Sequence, residues 1–333
     1  MRVGIAPTRL QTTDWSPARV TACVLTYIPN EDGYYSRRLA VLSASLLSLA
    51  RSTPLGSVDV LVFDNASCQA VVDRLKELES AGIITFLLRS NVNIGKANAW
   101  RVMFNTAPGE VIAYSDDDVL FYPGWLEASM SLLERFPEVG MVSALPVGQQ
   151  FRYGNSCLTS YQARHPDVVV RRGHFLPEAW HRDFAASIGY TTERDAAVRK
   201  HAEEIVLERQ GARAYATATH FQFLGLKATL LEGLAPEWET RLLCSGEKDF
   251  DERIDALGYV RLSTEGRYVR HLGNVIGAED AAELERLEID HRDKIWHPPS
   301  RGLLATRKVM GHIRRAGKRG LNWLYLNRNF GGP

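Results

Sequence analysis

The sequence predicts an α/β fold built on a mostly parallel sheet flanked by helices, and three observations predict it. Short β-branched runs alternate with segments of helical periodicity from residue 20 to residue 145. Polar and acidic residues collect where those runs end, the edge at which open parallel sheets bind ligands. The chain has 333 residues, 45% of them hydrophobic, which is ample material for a large core.

The elements follow in order. Val20 to Thr26 reads as a buried strand, and Leu39, Leu42, Leu46 and Leu49 then mark a helix that ends near Thr53-Pro54. Val58 to Phe63 is a second strand, followed by a helix on Val71, Leu75 and Leu78 that Gly82 closes. Ile83 to Leu88 is a third strand, and Trp100, Met103, Phe104 and Ala107 form the apolar stripe of a helix beginning after Gly95. Glu110 to Tyr114 is a fourth strand, and a helix runs from Pro123 to Phe136 with proline at its start. Val139 to Ser143 is a fifth strand. Strands separated by helices require crossovers, and crossovers make strands parallel.

Charge narrows the function classes. Forty Lys and Arg against 39 Asp and Glu leave a net charge of +1. From Arg301 onward there are eight basic and no acidic residues, so residues 1–300 hold 32 basic and 39 acidic side chains, a balance of −7. A mildly acidic body with a basic tail is not the footprint of a nucleic-acid binder. Cys23, Cys68, Cys157 and Cys244 fit no zinc spacing and read as reduced thiols. No apolar window is long enough to cross a bilayer, and the first ten residues lack the apolar stretch of a signal peptide. These features predict a cytoplasmic protein.

The strand ends carry the chemistry. Tyr27 follows the first strand, Asp64-Asn65-Ala66-Ser67 ends the second, and Asn91-x-Asn93-x-Gly95 with Asn98 opens the third helix. Asp116-Asp117-Asp118 ends the fourth strand, with Pro123-Gly124-Trp125-Leu126 beyond it. Three adjacent aspartates raise one another's pKa, and a hard divalent cation relieves that. Alternate residues of an extended segment share a face, so Asp116 and Asp118 can converge while Asp117 points elsewhere. A solvated turn is the plainer reading of an isolated triplet. No Gly-x-Gly-x-x-Gly and no P-loop lysine is present.

In this order and spacing the motifs resemble the nucleotide-binding half of family 2 glycosyltransferases of GT-A fold. The resemblance continues through Phe221 to Leu234 and Gly246-Glu247-Lys248-Asp249-Phe250, with Arg253, Gly258-Tyr259 and His271. It implies a nucleotide-sugar-binding half over 18–147 and an acceptor-binding, catalytic half over 148–275 with a helical insertion. An acidic helix and basic tail follow over 276–333.

What the resemblance implies can be stated residue by residue. Tyr27, Asp64, Asn65, Asn93 and Lys96 belong to the nucleotide-sugar site, together with Asp116 and Asp117. Asp116 and Asp118 meet the ribose and the metal, Mn²⁺ or Mg²⁺, with His271 a further metal ligand. Arg101 is an alternative to Lys96 as the diphosphate's cation. The donor is a nucleoside-diphosphate sugar, UDP ahead of GDP and dTDP, and the acceptor a hydroxyl on a carbohydrate or lipid-linked molecule. Family members carry E-D-x-D-[LF], the first Asp acting as base. Here Glu247 stands in its place and Gly246 in place of the preceding Glu, so Glu247 is the expected base and Asp249 the alternative. A carboxylate base implies direct displacement, hence inversion. The substitution keeps open a catalytically silent nucleotide-sugar binder. A sugar nucleotidyltransferase is a further alternative, although Tyr27-Ile28-Pro29-Asn30 is not its glycine-rich loop.

Residues 149–219 depart most from the family pattern, mixing aromatics such as Tyr153, Phe175, Trp180 and Phe184 with arginines, and are expected to shape the acceptor pocket. Glu193 to Gln210 reads as a charged helix, and Glu279 to Asp293 as an acidic one. The tail mixes Lys and Arg with Leu, Ile and Trp, the composition of a peripheral contact with the inner face of an anionic membrane. Packing on the body or on a partner subunit, as an oligomer, and a solvated tail are the alternatives.

Overall fold

The computed structural model describes Arg9, residues 12–191, residues 203–238, Leu243 and residues 246–289. Within them a ten-stranded sheet carries helices on both faces. Its first half is formed by β1 (Val20–Thr26), α1 (Arg38–Arg51), β2 (Val58–Asn65), α2 (Gln69–Ser80), β3 (Phe86–Ser90), α3 (Lys96–Thr106) and β4 (Val111–Asp116). Strands β3, β2, β1 and β4 lie side by side in parallel register. All seven residues of β1 are buried, because a strand with helices over both faces has no polar side. The third strand starts three residues later than its sequence predicts. Ile83 and Ile84 are core residues of the connection ahead of it.

The chain continues through β5 (Val119–Phe121), α4 (Trp125–Arg135), β6 (Val139–Ser143), α5 (Leu158–Arg164), β7 (Val169–Gly173) and α6 (Glu178–Ser187). Then come β8 (Glu204–Arg209), β9 (Ala212–Tyr215), β10 (Gln222–Leu226), α7 (Lys227–Gly233), α8 (Glu247–Ala256), β11 (Val260–Ser263), β12 (Val269–His271) and α9 (Ala278–Arg286). Strand β10 enters antiparallel between β4 and β6, and β11 extends the sheet parallel to β6. The order is β3-β2-β1-β4-β10-β6-β11-β9-β8-β7. The strand directions make this an α/β fold whose first four strands are parallel and whose second half is mixed.

The expected helix over Glu193 to Gln210 is corrected at its second half. Glu204–Arg209 is strand β8, paired with β7 and β9. Gln210 and Gly211 both hold positive φ, 48° and 77°, the conformation of a two-residue hairpin turn whose twist matches its flanking strands. Ile205, Val206 and Leu207 of this hairpin are buried in the core, and the β-branching of Ile205 and Val206 suits a strand better than a helix. The acidic helix expected over Glu279 to Asp293 is corrected at its end: it stops at Arg286, capped at Leu287, and Glu288 holds a positive φ of 56°. Residues 192–202, Cys244 and residues 290–333, which include the basic tail, lie outside the described residues.

A two-stranded ribbon of β5 and β12 sits beside the main sheet, with His271 opposite Val119. Helix α1 pins it. Ser48 Oγ accepts from Phe121 N at 3.1 Å, and Ser52 Oγ donates to Phe121 O at 2.7 Å. Ser48 lies on the buried face of α1 and Ser52 caps its C-terminus, and the ribbon's backbone explains why both are polar. Beneath α3, Trp100 is fully buried among Phe104, Tyr114, Phe223 and Phe250, with ring centroids 5.1 to 6.2 Å away. This aromatic cluster fixes one wall of the site. Among the described residues no helix is long and apolar enough to cross a membrane.

Candidate active site

The site lies at the carboxyl ends of β1, β2 and β4. Asp64 is buried at the end of β2, where Oδ1 accepts from Ser67 N at 2.8 Å and Oδ2 pairs with Arg89 Nε at 3.1 Å. Asn65 and Asn93 are joined, Asn65 Nδ2 donating to Asn93 Oδ1 at 2.9 Å. Asn65 Oδ1 accepts from Ile94 N, and Asn93 Oδ1 also accepts from Gly95 N. The two asparagines thereby shape the turn into α3. Gly95 closes that turn with φ 78°, and a Cβ there would lie 3.3 Å from Leu243 O. Tyr27 follows β1 and packs edge-on against Tyr35, centroids 6.3 Å apart.

The three aspartates go to different partners. Asp116 accepts from Tyr114 Oη at one oxygen and from Lys96 Nζ at 2.8 Å at the other. Asp117 turns inward, accepting from Thr26 Oγ1 at 2.6 Å and pairing with Arg38 Nη2. Asp118 Oδ2 lies 2.7 Å from Arg38 Nη1 and 3.6 Å from His271 Nε2. Its other oxygen, Oδ1, is buried with no hydrogen-bond partner among the described residues. Burial pushes the Asp116 carboxyl up, opposed by Lys96 and reinforced by Asp118. For Asp118 burial acts in the same direction, but His271 and Arg38 outweigh it and hold its pKa down.

Glu247 opens α8. Its Oε1 lies 2.6 Å from Lys96 Nζ and its Oε2 lies 3.6 Å from His220 Nε2. Burial would raise its pKa, yet Lys96 and His220 bring it below the usual carboxylate range. Lys96 moves upward for the converse reason: desolvation opposes its charge, and Asp116 and Glu247 overcome that. Its ammonium also lies 5.5 Å from the Trp100 ring centroid. Asp249 stands half-buried in the same first helical turn. Arg101 is corrected as a candidate for the diphosphate, because its Nη2 donates to the backbone oxygens of Ala235 and Glu237.

Asp118 and His271 fit a divalent cation. A buried carboxylate oxygen without a hydrogen bond faces outward from a site whose imidazole is already oriented, since His271 Nδ1 lies 2.9 Å from Ser187 Oγ. Among the described residues no group of three or more His, Cys, Asp or Glu side chains gathers as a metal cage.

Sequence reasoning missed Arg38, His220 and Ser187. None belongs to a local motif, and each meets its partner only after the fold closes. Beyond them, Pro146, Val147, Leu176, Trp180, His181 and Phe184 line a shallow, open hollow whose enclosed volume is only about 10 Å³. Phe184 stacks on Phe221, and both rings lie against His271, so the hollow is one ring removed from the aspartates.

Residues 34–173 match the family model of glycosyl transferase family 2. The match covers 140 of the 333 residues, less than half of the chain, and makes this stretch, which carries the strand-end site, similar to glycosyl transferase family 2. Comparison with curated proteins gives no match. Among solved structures the chain is similar to the mannosyltransferase PcManGT from Pyrobaculum calidifontis in complex with GDP-Man and Mn²⁺. The two share 18% identity over 77% of this chain and 58% of that one, with a TM-score of 0.43. Similarity to S. aureus TarS 1-349 is 13% identity over 81% of this chain and 64% of that one, TM-score 0.44. For GalNAc-T7 with UDP, GalNAc and Mn²⁺ it is 13% identity over 77% and 43%, TM-score 0.48. The chain thus spans less than two thirds of the length of each.

Proposed function

We propose that the chain is a metal-dependent, inverting glycosyltransferase that moves a sugar from a nucleoside-diphosphate donor, UDP first among them, to a hydroxyl acceptor. The observation that carries this reading is the cluster of carboxylates joined at Lys96, which pairs with both Asp116 and Glu247. Next to it stands Asp118, whose Oδ1 has no hydrogen-bond partner among the described residues and whose Oδ2 lies beside His271.

In this reading Asp64, Asn65, Asn93 and Tyr27 surround the nucleoside. Asp116 orients the ribose, and Asp117 serves by holding Arg38 rather than by touching the donor. Asp118 and His271 hold Mn²⁺ or Mg²⁺, which when bound offsets charge developing on the leaving diphosphate. Lys96 adds a cation at the N-terminus of α3, a position that favours anions. Glu247 takes the acceptor hydroxyl's proton as its oxygen attacks the anomeric carbon from the face opposite the diphosphate. Direct displacement inverts that carbon. The acceptor lies along the surface beside Phe184, where Trp180 is suited to the face of a sugar ring or an apolar aglycone. The basic tail brings the protein to a lipid-borne acceptor.

A thermal-shift panel tests this. UDP, GDP, dTDP and their sugars are each added with Mn²⁺, with Mg²⁺ and with chelator. Metal-dependent stabilisation by one nucleotide, lost in Asp118→Ala, is expected. Equal affinity with and without metal, or in Asp118→Ala, refutes the assignment of the aspartates.

A further inference from the structure

His220 lies in the connection between β9 and β10, and both of its ring nitrogens face carboxylates. Nδ1 is 3.4 Å from Asp251 Oδ2, and Nε2 is 3.6 Å from Glu247 Oε2. The connection is pinned, since Thr219 N donates to Ser143 Oγ at 2.7 Å and Thr219 Oγ1 to Gln222 O at 2.8 Å. Asp251, one turn after Glu247 on α8, is completely buried, and so is Arg261 of β11, whose Nη1 lies 2.9 Å from Asp251 Oδ2. Arg261 is held in turn. Its Nη2 donates to Tyr153 O at 2.5 Å, and its guanidinium lies over the Tyr153 ring, 5.3 Å from the centroid.

A buried Arg–Asp pair adds little stability over a hydrophobic one of the same size, so stability alone does not account for it. What this pair does is fix a ring. An ionised Asp251 only accepts hydrogen bonds, so the nitrogen facing it carries the hydrogen; in the neutral form of the ring this leaves the lone pair on Nε2, toward Glu247, whereas a doubly protonated ring donates to both carboxylates. With the neutral ring, two acceptors face each other with room for one proton between them. Glu247 is a weak base by itself, with its other oxygen 2.6 Å from Lys96 Nζ. A second acceptor beside it offsets that weakness.

We propose that Glu247 and His220 form one proton-accepting pair, in which His220, oriented by Asp251 and Arg261, acts as a positioning residue for the base. This rests on the reading of Glu247 as base. In the step, the acceptor's O–H bond breaks and its proton passes to Glu247 Oε2, where His220 Nε2 shares it. The hydroxyl oxygen forms the bond to the anomeric carbon. The bond from that carbon to the diphosphate oxygen breaks, and its electron pair leaves with the diphosphate. The 3.6 Å separation closes to hydrogen-bond length as the proton arrives, as proton-transfer contacts do on going from the free to the loaded site. The charged groups facing the pair are Asp251 and Arg261 behind the ring and Lys96, with Asp116, beyond the carboxylate.

The ring can be read directly by NMR of full-length protein labelled with ¹⁵N-histidine, at the pH of maximal turnover. A neutral ring with its hydrogen on Nδ1 is expected, the less favoured tautomer of free histidine. In Glu247→Gln the Nε2 resonance moves. A ring with its hydrogen on Nε2, a ring doubly protonated at that pH, or an Nε2 resonance indifferent to Glu247→Gln overturns the proposal. UDP release from UDP-glucose and UDP-N-acetylglucosamine with Mn²⁺, water serving as the hydroxyl, gives the kinetic arm. His220→Gln lowers kcat by about 10- to 100-fold at unchanged KM, part of what a proton-transfer group supplies. Stabilisation by UDP and Mn²⁺ verifies that each variant keeps its site. Wild-type turnover in His220→Gln beside an inactive Glu247→Gln overturns the pair alone. Full turnover in Glu247→Gln overturns the base assignment beneath it.

Discussion

Arg38 Nη1 lies 2.7 Å from Asp118 Oδ2, and Nη2 of the same guanidinium pairs with Asp117. The arginine sits at the start of α1, eighty residues upstream of Asp118, and also donates to Gly273 O at 2.8 Å. It therefore joins three separate segments: α1, the turn between β4 and β5, and the chain just after β12. Its planar fork engages one oxygen of Asp118 and leaves the other open. A flexible ammonium could supply the charge but not that division of labour between two carboxylates.

Removing Arg38 leaves two buried carboxylates without their cation. Breaking a buried pair on one side costs roughly 3–5 kcal/mol. Arg38→Ala should therefore lower the denaturant midpoint by an amount of that order at unchanged slope, with Arg38→Lys recovering part of it. A loss below ~1 kcal/mol for Arg38→Ala means that the aspartates are hydrated rather than enclosed.

Arg38 also shows where the sequence is legible and where it is not. The first half of the sheet could be read because each strand and helix declares itself by its own periodicity, and alternation alone puts Asp64 and Asp116 at one edge. The motifs around Asn93 and Asp118 are likewise local. Arg38 stands in a basic pair at a helix start, where a solvated side chain looks the same on paper. His220 and Ser187 meet their partners across 31 and 84 residues. Nothing in a linear pattern reports such pairings. The β8–β9 hairpin was hidden for a different reason: Gln210 adopts a positive φ that its residue type does not announce.

Lys96 links the two halves of the site, 2.8 Å from Asp116 and 2.6 Å from Glu247. Lys96→Met strands both carboxylates, and Glu247→Gln removes part of what the ammonium satisfies. The two substitutions should be non-additive in stability, with a coupling of about 0.5–3 kcal/mol in a double-mutant cycle. Chemical denaturation of the four proteins measures it. Strict additivity means that the ammonium and Glu247 do not interact in solution.

Glu204 gives a pH dependence that belongs to the insertion rather than to the aspartates. Its Oε2 accepts from the backbone N–H groups of Phe175 and Leu176, and its Oε1 lies 3.3 Å from His181 Nε2. Burial raises its pKa, but the His181 and backbone hydrogen bonds prevail and bring it below its ordinary 4.5. With the folded value depressed, its contribution is fully present above pH 4.5 and fades as pH falls through the folded value. Wild-type stability should consequently decline more steeply below pH 4.5 than that of Glu204→Gln, which has no proton to take up there. At pH 7 the variant should be less stable by about 1–3 kcal/mol, because two part-buried N–H groups lose a charged acceptor. Parallel pH profiles for the two proteins contradict this.

Ser187 ends α6, and its hydroxyl lies 2.9 Å from His271 Nδ1, so the insertion helix orients the imidazole that faces Asp118. A hydrogen bond to the distal nitrogen of a metal-bound histidine fixes the ring and raises its basicity, and losing one costs about 10–100-fold in metal affinity. Ser187→Ala should weaken Mn²⁺ binding by that factor, read as the Mn²⁺ concentration needed for half-maximal stabilisation by UDP. Ser187→Thr keeps the hydroxyl and should bind close to wild type, which separates the hydrogen bond from the packing of the helix end. The Phe184 and Phe221 rings still confine His271 in Ser187→Ala, so the ring stays near Asp118 but loses its preferred tautomer. Unaltered Mn²⁺ affinity in Ser187→Ala removes His271 from the metal site and leaves Asp118 as its protein anchor.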